Sequence, residues 1–167
     1  MLRQIIEPAI ENLRRAEILL NELDPDVYAS MAAPPYFSSI GGHLRHIFDV
    51  YQCVLNGLDS KTVDLTDRKR GTVVEQDPSE GLKYLNKIIS GLESILDLDP
   101  GIAITIEDDL GQGLVDVPAT LGGGLCQAHS HAIHHFACIG YLLHIHGLQL
   151  PNKVFGYNPT TPVNQPA

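Results

Sequence analysis

The longest helical segment that the sequence predicts runs from about Ala119 to His146 and contains most of the chain's eight histidines. Its apolar residues recur at the spacing of one face of an α-helix; they are Leu121, Leu125, Ala128, Ala132, Ile139 and Leu143. Gly147 follows, a residue type that commonly ends helices because it accepts a left-handed backbone. A helix of this length with one apolar face has to bury that face against other long elements. The segment therefore predicts a fold of packed helices.

Three further segments, at about 2–23, 39–58 and 78–96, have the same periodicity and complete a set of four helices. Ser38 and Ser39 stand at the start of the second segment and Asp77 at the start of the third, and all three are residue types that cap helix N-termini. Four long helices joined by two long connections are typical of a four-helix bundle. The fold class predicted from the sequence is accordingly all-α.

The connection between the third and fourth helices has a different pattern. Alternating β-branched residues at 102–109 and 114–118 flank the glycine turn 111-GQG-113, which predicts a short β-hairpin added to the helices. Residues 59–77 form a long polar connection, and connections of this length are often functional. We expect a single domain over residues 1–167, with roughly the last ten residues as a mobile tail.

Composition limits the classes of function. The formal net charge is −9, and nucleic-acid binding needs a basic face, so we expect no nucleic-acid partner. No apolar run approaches the roughly 20 residues of a membrane span, and the N-terminus lacks the apolar core of a signal peptide, so we expect no membrane partner. The three cysteines are odd in number and widely spaced, which predicts buried free thiols in a reducing cytoplasm.

Two histidines of the longest helix have the spacing of a metal site. His131 and His135 are four residues apart, so both project from the same side of the helix, at one edge of its apolar stripe. This spacing lets a helix offer two imidazole nitrogens to one ion. The alternative is a pair of hydrogen-bonded, half-buried histidines without a metal. His129 lies on the other flank of the stripe and is expected to be a surface residue.

A well-held metal needs at least three protein ligands, and the other candidates lie in the second helix. His43 and His46 are the histidines of that helix, and side chains from facing helices of a bundle can converge on one ion. Angular position places His43 closer to the helix's apolar stripe than His46. On angle alone, His43 is the better third ligand.

Two segments of the chain resemble the DinB-like (DinB/YfiT) superfamily of metal-binding four-helix proteins. The first is 39-SIGGHLRHIFD-49, which is similar to the second helix of that family, and the second is 131-HAIHH-135, which is similar to its late helix. The order and separation of the two segments also resemble the family. One departure is 136-FAC-138, which stands where many members have Arg-Gly-Gln.

The resemblance implies a ligand set and a type of chemistry. The implied metal ligands are His46, His131 and His135, with His43 as the alternate for His46. The implied ion is divalent, zinc or nickel above all, and dimers are common in the family. Characterised relatives use low-molecular-weight thiols for S-transfer or isomerisation, while many other members have no assigned reaction.

Four further residues are candidates for supporting roles. Asp49, three residues after His46, is a candidate to orient an imidazole, and His134 is a candidate proton shuttle. Arg68 and Arg70, in the long polar connection, are candidates to bind a carboxylate or phosphate of a cofactor. For each residue the alternative is a solvated or purely structural role.

The predicted function is a metal-dependent enzyme of the thiol-dependent S-transferase type. The alternatives are a metal-dependent hydrolase and a non-catalytic protein that binds a metal or small ligand on the same scaffold, since a three-histidine site fits all of them. The expected partners are a small-molecule substrate or thiol and a second copy of the chain, in the cytoplasm.

Overall fold

The computed structural model of the chain describes residues 2–162. Within that range the fold is mixed α/β, with five helices and a three-stranded sheet. The elements in chain order are α1 (Arg3–Glu22), α2 (Pro25–Ala29), α3 (Ile40–Asn56), β1 (Thr62–Asp64), α4 (Pro78–Ser94), β2 (Ala103–Asp109), β3 (Leu114–Thr120) and α5 (Leu121–Ile145). A single 3₁₀ turn, Val73–Glu75, lies between β1 and α4.

The prediction of an all-α four-helix bundle is wrong, because a sheet forms part of the core. β1 pairs in parallel with β2, with Val63 opposite Ile106, and β2 pairs antiparallel with β3. Val63, Ile104 and Ile106 are buried among the apolar side chains of the helices. A strand of three residues inside a polar connection is too short to show an alternating pattern, so the sequence did not indicate β1.

The predicted hairpin is present and longer than expected. β3 extends to Thr120 and passes directly into α5, so Ala119 belongs to the strand and not to the helix. Asp109 accepts hydrogen bonds from the backbone N–H groups of Gly111 and Gly113, and both glycines have positive φ, 93° and 106°. The turn needs glycine at these positions because other residues rarely adopt that backbone.

The four long helices start and end close to the predicted bounds, and α3 and α4 begin at caps that the sequence indicated. Ser39 accepts a hydrogen bond from the N–H of Gly42 at 2.9 Å, and Asp77 accepts one from Ser79 at 2.8 Å. Thr120 caps α5 in the same way, at 3.1 Å. Such caps satisfy N–H groups that the first helical turn leaves without partners.

α3 and α5 pack directly against each other, and each also packs against another long helix, α4 in the case of α3 and α1 in the case of α5. The buried face of α5 follows the predicted apolar stripe and includes Leu125, Ala128, Ala132, Phe136 and Ile139. The contact between α3 and α5 places their histidines between the two helices.

Three further expectations can be compared with the structure. Within the described residues the cysteines are free, but only Cys53 is buried; Cys126 is exposed, so the prediction of buried thiols is wrong for it. None of the helices among residues 2–162 is long and apolar enough to cross a membrane. Of the predicted mobile tail, residues 163–167 lie outside the described residues.

Candidate metal centre

α3 and α5 bring together the three histidines that the resemblance implied. His46 comes from α3, and His131 and His135 come from α5. Each offers one ring nitrogen to a set whose members all lie within 4.8 Å of one another, and all three side chains are half-buried. The three histidines lie close enough together to bind one metal ion.

The spacing of the nitrogens fits a metal ion. The Nε2 atoms of His46 and His131 are 2.9 Å apart. Two imidazole nitrogens bound to one tetrahedral zinc ion at about 2.0–2.1 Å are about 3.3 Å from each other, so a shift of a few tenths of an ångström is enough. Without a metal, the same distance is a hydrogen bond in which one ring donates to the other.

The helical spacing of His131 and His135 explains why both rings reach the same point. One turn apart on α5, their ring centroids are separated by 4.4 Å. The His46 ring lies edge-on to both, with centroids 4.7 Å away in each case. His46 therefore projects from the side of α3 that faces α5. Angular position relative to the apolar stripe had instead favoured His43 as the third ligand.

His43 lies behind His135 and outside the three-histidine set. Its Nδ1 is 2.8 Å from Nδ1 of His135, and its Nε2 is 2.9 Å from Oγ of Ser38. If His135 binds a metal through Nε2, its Nδ1–H donates to His43, and the Nε2–H of His43 donates to Ser38. Histidine ligands of metals are commonly oriented by such a hydrogen bond from the second ring nitrogen. The geometry assigns His43 to orientation rather than to ligation.

The environment keeps the ligand rings neutral. Burial, followed by the charge of His131 and that of Arg68, lowers the pKa of His46 to about 3. Burial, then His131 and His46, lowers the pKa of His135 to about 2. The pKa of His131 is also lowered, first by burial. Neutral imidazoles keep the lone pairs that a metal ion requires.

The polar connection between β1 and α4 lies over this centre. Arg68 donates a hydrogen bond to Nδ1 of His46 at 3.2 Å. A cavity of about 450 Å³ opens beside it. Side chains from this connection, from the segment before α3, and from α3 and α5 line the cavity; they include Met31, Tyr36, Phe37, His46, Arg68, Arg70, Glu75 and His135. The two arginines therefore line the same cavity as His43, His46 and His135.

Asp49 has other partners than an imidazole. Its carboxylate accepts hydrogen bonds from Arg45 at 2.8 Å and from the Tyr84 hydroxyl at 2.9 Å. Arg45 also donates to Glu75 at 3.0 Å, and both Arg45 and Asp49 are buried. The ion pair of Arg45 and Glu75 fastens the 3₁₀ turn of the polar connection to α3. The sequence contained a signal for the other pair, because Arg45 and Asp49 stand four residues apart on one helix.

His134 lies on the solvent side of the cluster. It is exposed, and its ring centroid is 5.2 Å from that of His135. Its Nε2 is 4.0 Å from the Cys138 sulfur.

Sequence reasoning did not identify Ser38 as a partner of His43, because a serine at a helix start is read first as a cap.

Comparisons of the chain with protein-family models, curated proteins and solved structures found no match. The chemistry of the site therefore has to be inferred from its residues. The half-buried donor set of three neutral imidazoles could hold a metal ion, since imidazole is a common metal ligand.

Proposed function

We propose that this protein holds zinc or nickel through His46, His131 and His135. The observation that carries the proposal is the convergence of three ring nitrogens, from two helices, within 4.8 Å. The pKa of each of these rings is lowered, so protons do not compete with a metal near neutral pH. The hydrogen bond of His135 to His43 gives one ligand the orienting partner that metal sites require.

We further propose that the protein is a metal-dependent transferase that uses a low-molecular-weight thiol. A bound divalent ion supplies a Lewis acid that lowers the pKa of a thiol or water molecule beside it. Support comes from the cavity that opens next to His46 and His135, and from the resemblance of residues 39–49 and 131–135 to a family with thiol-dependent members. Among the described residues that line this cavity there is no cysteine, so the thiol comes from a cofactor.

The chain's own residues have distinct parts in this proposal. His43 and Ser38 hold the His135 ring in place, and the buried pair of Arg45 and Asp49 fixes the wall that contains Glu75. His134, exposed and beside His135, is placed to exchange a proton between the site and solvent. Each of these roles leaves the ligand set unchanged.

One observation favours the second candidate, a non-catalytic protein that binds a metal or small ligand, over a metal-dependent hydrolase. The carboxylate in the cavity wall, that of Glu75, already accepts hydrogen bonds from Arg45 and from the N–H of Gly71. A hydrolase would need a free base to take a proton from water, so this arrangement places hydrolysis behind both transfer and binding.

The homodimer and the cytoplasmic location stay predictions. The edge strand β3 exposes Leu114, Val115 and Val117, with 62%, 38% and 46% of each residue accessible, which supports an interface with a second copy. The free cysteines support a reducing compartment.

Elemental analysis and a turnover assay test the proposal together. Protein purified without an affinity tag is expected to hold near-stoichiometric zinc or nickel, and His131→Ala is expected to lose it. The matched control is His144→Ala, which removes an exposed histidine from the same helix. Turnover with a low-molecular-weight thiol and an electrophilic acceptor should require the metal. Tight metal binding without turnover across a panel of thiols and acceptors would favour the binding protein.

A further inference from the structure

We infer that Arg68 is an anion receptor and that the small molecule bound in this cavity carries a carboxylate group. This inference rests on the proposed function, because it assigns the substrate class of the same site. The observations behind it are the unmatched charge of Arg68, the position of the proton on the His46 ring, and the residues that line the cavity.

Among the described residues, the charge of Arg68 has no carboxylate in direct contact. Within residues 2–162, Arg68 takes part in none of the ion pairs within 4.0 Å, and its side chain is half-buried. Two carboxylates of the same connection have other partners: Asp64 accepts from Thr66, and Glu75 accepts from Arg45. A half-buried guanidinium without an anion is costly, so the site favours one.

The hydrogen bond between Arg68 and His46 is compatible only with the metal-free state. Arg68 donates to Nδ1 of His46, so the ring proton is on Nε2. A metal bound at that Nε2 requires the proton on Nδ1, where it cannot accept from a guanidinium. Metal binding therefore removes the acceptor of Arg68 and adds positive charge beside it. The hydrogen bond to His46 uses one of the five N–H groups of the guanidinium, so Arg68 can bind an anion in the adjoining cavity in both states, and more tightly once the ion is bound.

The lining of the cavity describes the rest of the ligand. Arg70 adds a second positive charge to the lining of the cavity, which also includes the side chains of Met31, Tyr36 and Phe37. These three side chains are 62%, 87% and 54% exposed, so an apolar group of a ligand would cover them. A small molecule with a carboxylate at Arg68 and an apolar or aromatic portion near Tyr36 matches both parts.

A carboxylate fits better than a phosphate. The planar guanidinium matches a carboxylate with two parallel N–H···O hydrogen bonds. Glu75 lines the same cavity, and its negative charge repels a dianion more strongly than a monoanion.

Thiol binding to the cobalt-loaded protein tests this inference. The probes are 3-mercaptopropanoate and its neutral analogue 3-mercaptopropan-1-ol, followed by the sulfur-to-cobalt charge-transfer absorption. We expect the carboxylate to bind about tenfold more tightly or better, as charge-assisted hydrogen bonds allow. Arg68→Gln should abolish this preference and leave the affinity for the alcohol within about twofold. Arg14→Gln, which alters an exposed arginine paired with Glu17, is the matched control and should keep it.

Other outcomes overturn the inference. Equal affinities of the two probes for the unaltered protein would do so, as would an equal loss of both in Arg68→Gln. Tighter binding of 3-mercaptopropylphosphonate would overturn the carboxylate assignment. Arg68→Lys keeps the positive charge but loses the planar guanidinium that makes two parallel hydrogen bonds, so it should give an intermediate preference. It also controls for a folding defect in the glutamine variant.

The metal content, measured first, separates this inference from the proposed function. A protein that holds no cobalt contradicts the proposed function, and calorimetry of the metal-free protein with 3-phenylpropanoate then decides the role of Arg68. Binding that disappears in Arg68→Gln supports the anion receptor on its own. No binding in that assay rejects it.

Discussion

The Nδ1 atoms of His43 and His135 face each other at 2.8 Å. At that distance one ring carries a proton on Nδ1 and the other accepts it. The oxygen of Ser38 lies 2.9 Å from the remaining nitrogen of His43, so the pair continues into a chain of three groups. This chain ends on His135, one of the three proposed metal ligands, so its proton arrangement would affect how firmly an ion is held.

Removing the acceptor behind His135 should weaken metal binding without abolishing it. We expect His43→Ala to lower the metal affinity about 10- to 100-fold, since partners of metal-bound histidines contribute that much, whereas His46→Ala should lose the ion. Competition with a chromogenic chelator measures both affinities. His43→Gln, whose amide oxygen can accept the same proton, should recover part of the loss. If His43→Ala loses the ion and His46→Ala keeps it, the third ligand is His43.

The metal-free protein should lose stability as the pH falls from 7.5 to 5. Burial lowers the pKa of His46 to about 3 and that of His135 to about 2, whereas an unfolded imidazole has a pKa of about 6.5. Below that value the unfolded chain binds protons that the folded chain does not, so the free energy of unfolding decreases. Above it the stabilisation is complete. Urea unfolding at the two pH values measures the difference.

His135→Gln tests the origin of that pH dependence. It should make the loss between pH 7.5 and 5 smaller, because one of the rings that resist protonation is gone. His144→Gln, at an exposed position of the same helix, should leave the loss unchanged. An identical pH dependence in all three proteins would contradict the expectation.

Truncating the buried partner of Arg45 should be strongly destabilising. Asp49 accepts hydrogen bonds from Arg45 and Tyr84 in a buried position, and leaving a buried charge without its partner costs about 3–5 kcal/mol. We therefore expect Asp49→Ala to lower the free energy of unfolding by about 3 kcal/mol. Glu93→Ala, which removes an exposed partner of Arg14, should cost less than about 1 kcal/mol. Similar losses for both variants would mean that Glu75 alone compensates Arg45.

The close approach at Gly41 should not tolerate a side chain. A Cβ atom at this position would lie 2.4 Å from the carbonyl oxygen of Glu75 and 2.5 Å from the Tyr28 ring. We expect Gly41→Ala to destabilise the fold by about 1–3 kcal/mol, as overpacking does, and to move the cavity wall that contains Glu75. At neighbouring Gly42 the nearest atom is the Ser39 hydroxyl, at 3.1 Å, so Gly42→Ala should cost less. Thermal unfolding compares the two variants.

The features of the sequence that could be interpreted were those with a regular period, helical in the four long helices and alternating in the hairpin of β2 and β3. His131 and His135 could be paired because four residues make one helical turn, and the starts of α3 and α4 could be placed at their caps. The choice between His43 and His46 depends on how α3 turns towards α5, which periodicity along one helix does not contain. Packing between distant segments decided it.

Contacts of long sequence separation account for what was missed. β1 acquires its conformation from β2, about forty residues later in the register of Thr62 with Thr105. Asp49 accepts hydrogen bonds from Arg45 on its own helix and from Tyr84 on α4, and not from His46, three residues before it. A local pattern can indicate what a residue is able to bind, but not which distant residue the fold places within hydrogen-bond distance of it.

The origin of each wall of the cavity has a consequence for how such a protein changes over evolutionary time. The three-histidine set and its orienting histidine all come from α3 and α5, while Arg68, Arg70 and Glu75 all come from the connection between β1 and α4. Loops tolerate replacement more readily than packed helices do. Ligand preference can therefore diversify by exchange of one connection, leaving the inorganic chemistry intact. Hydrogen bonds of Arg68 to His46 and of Arg45 to Glu75 join the two halves of the site.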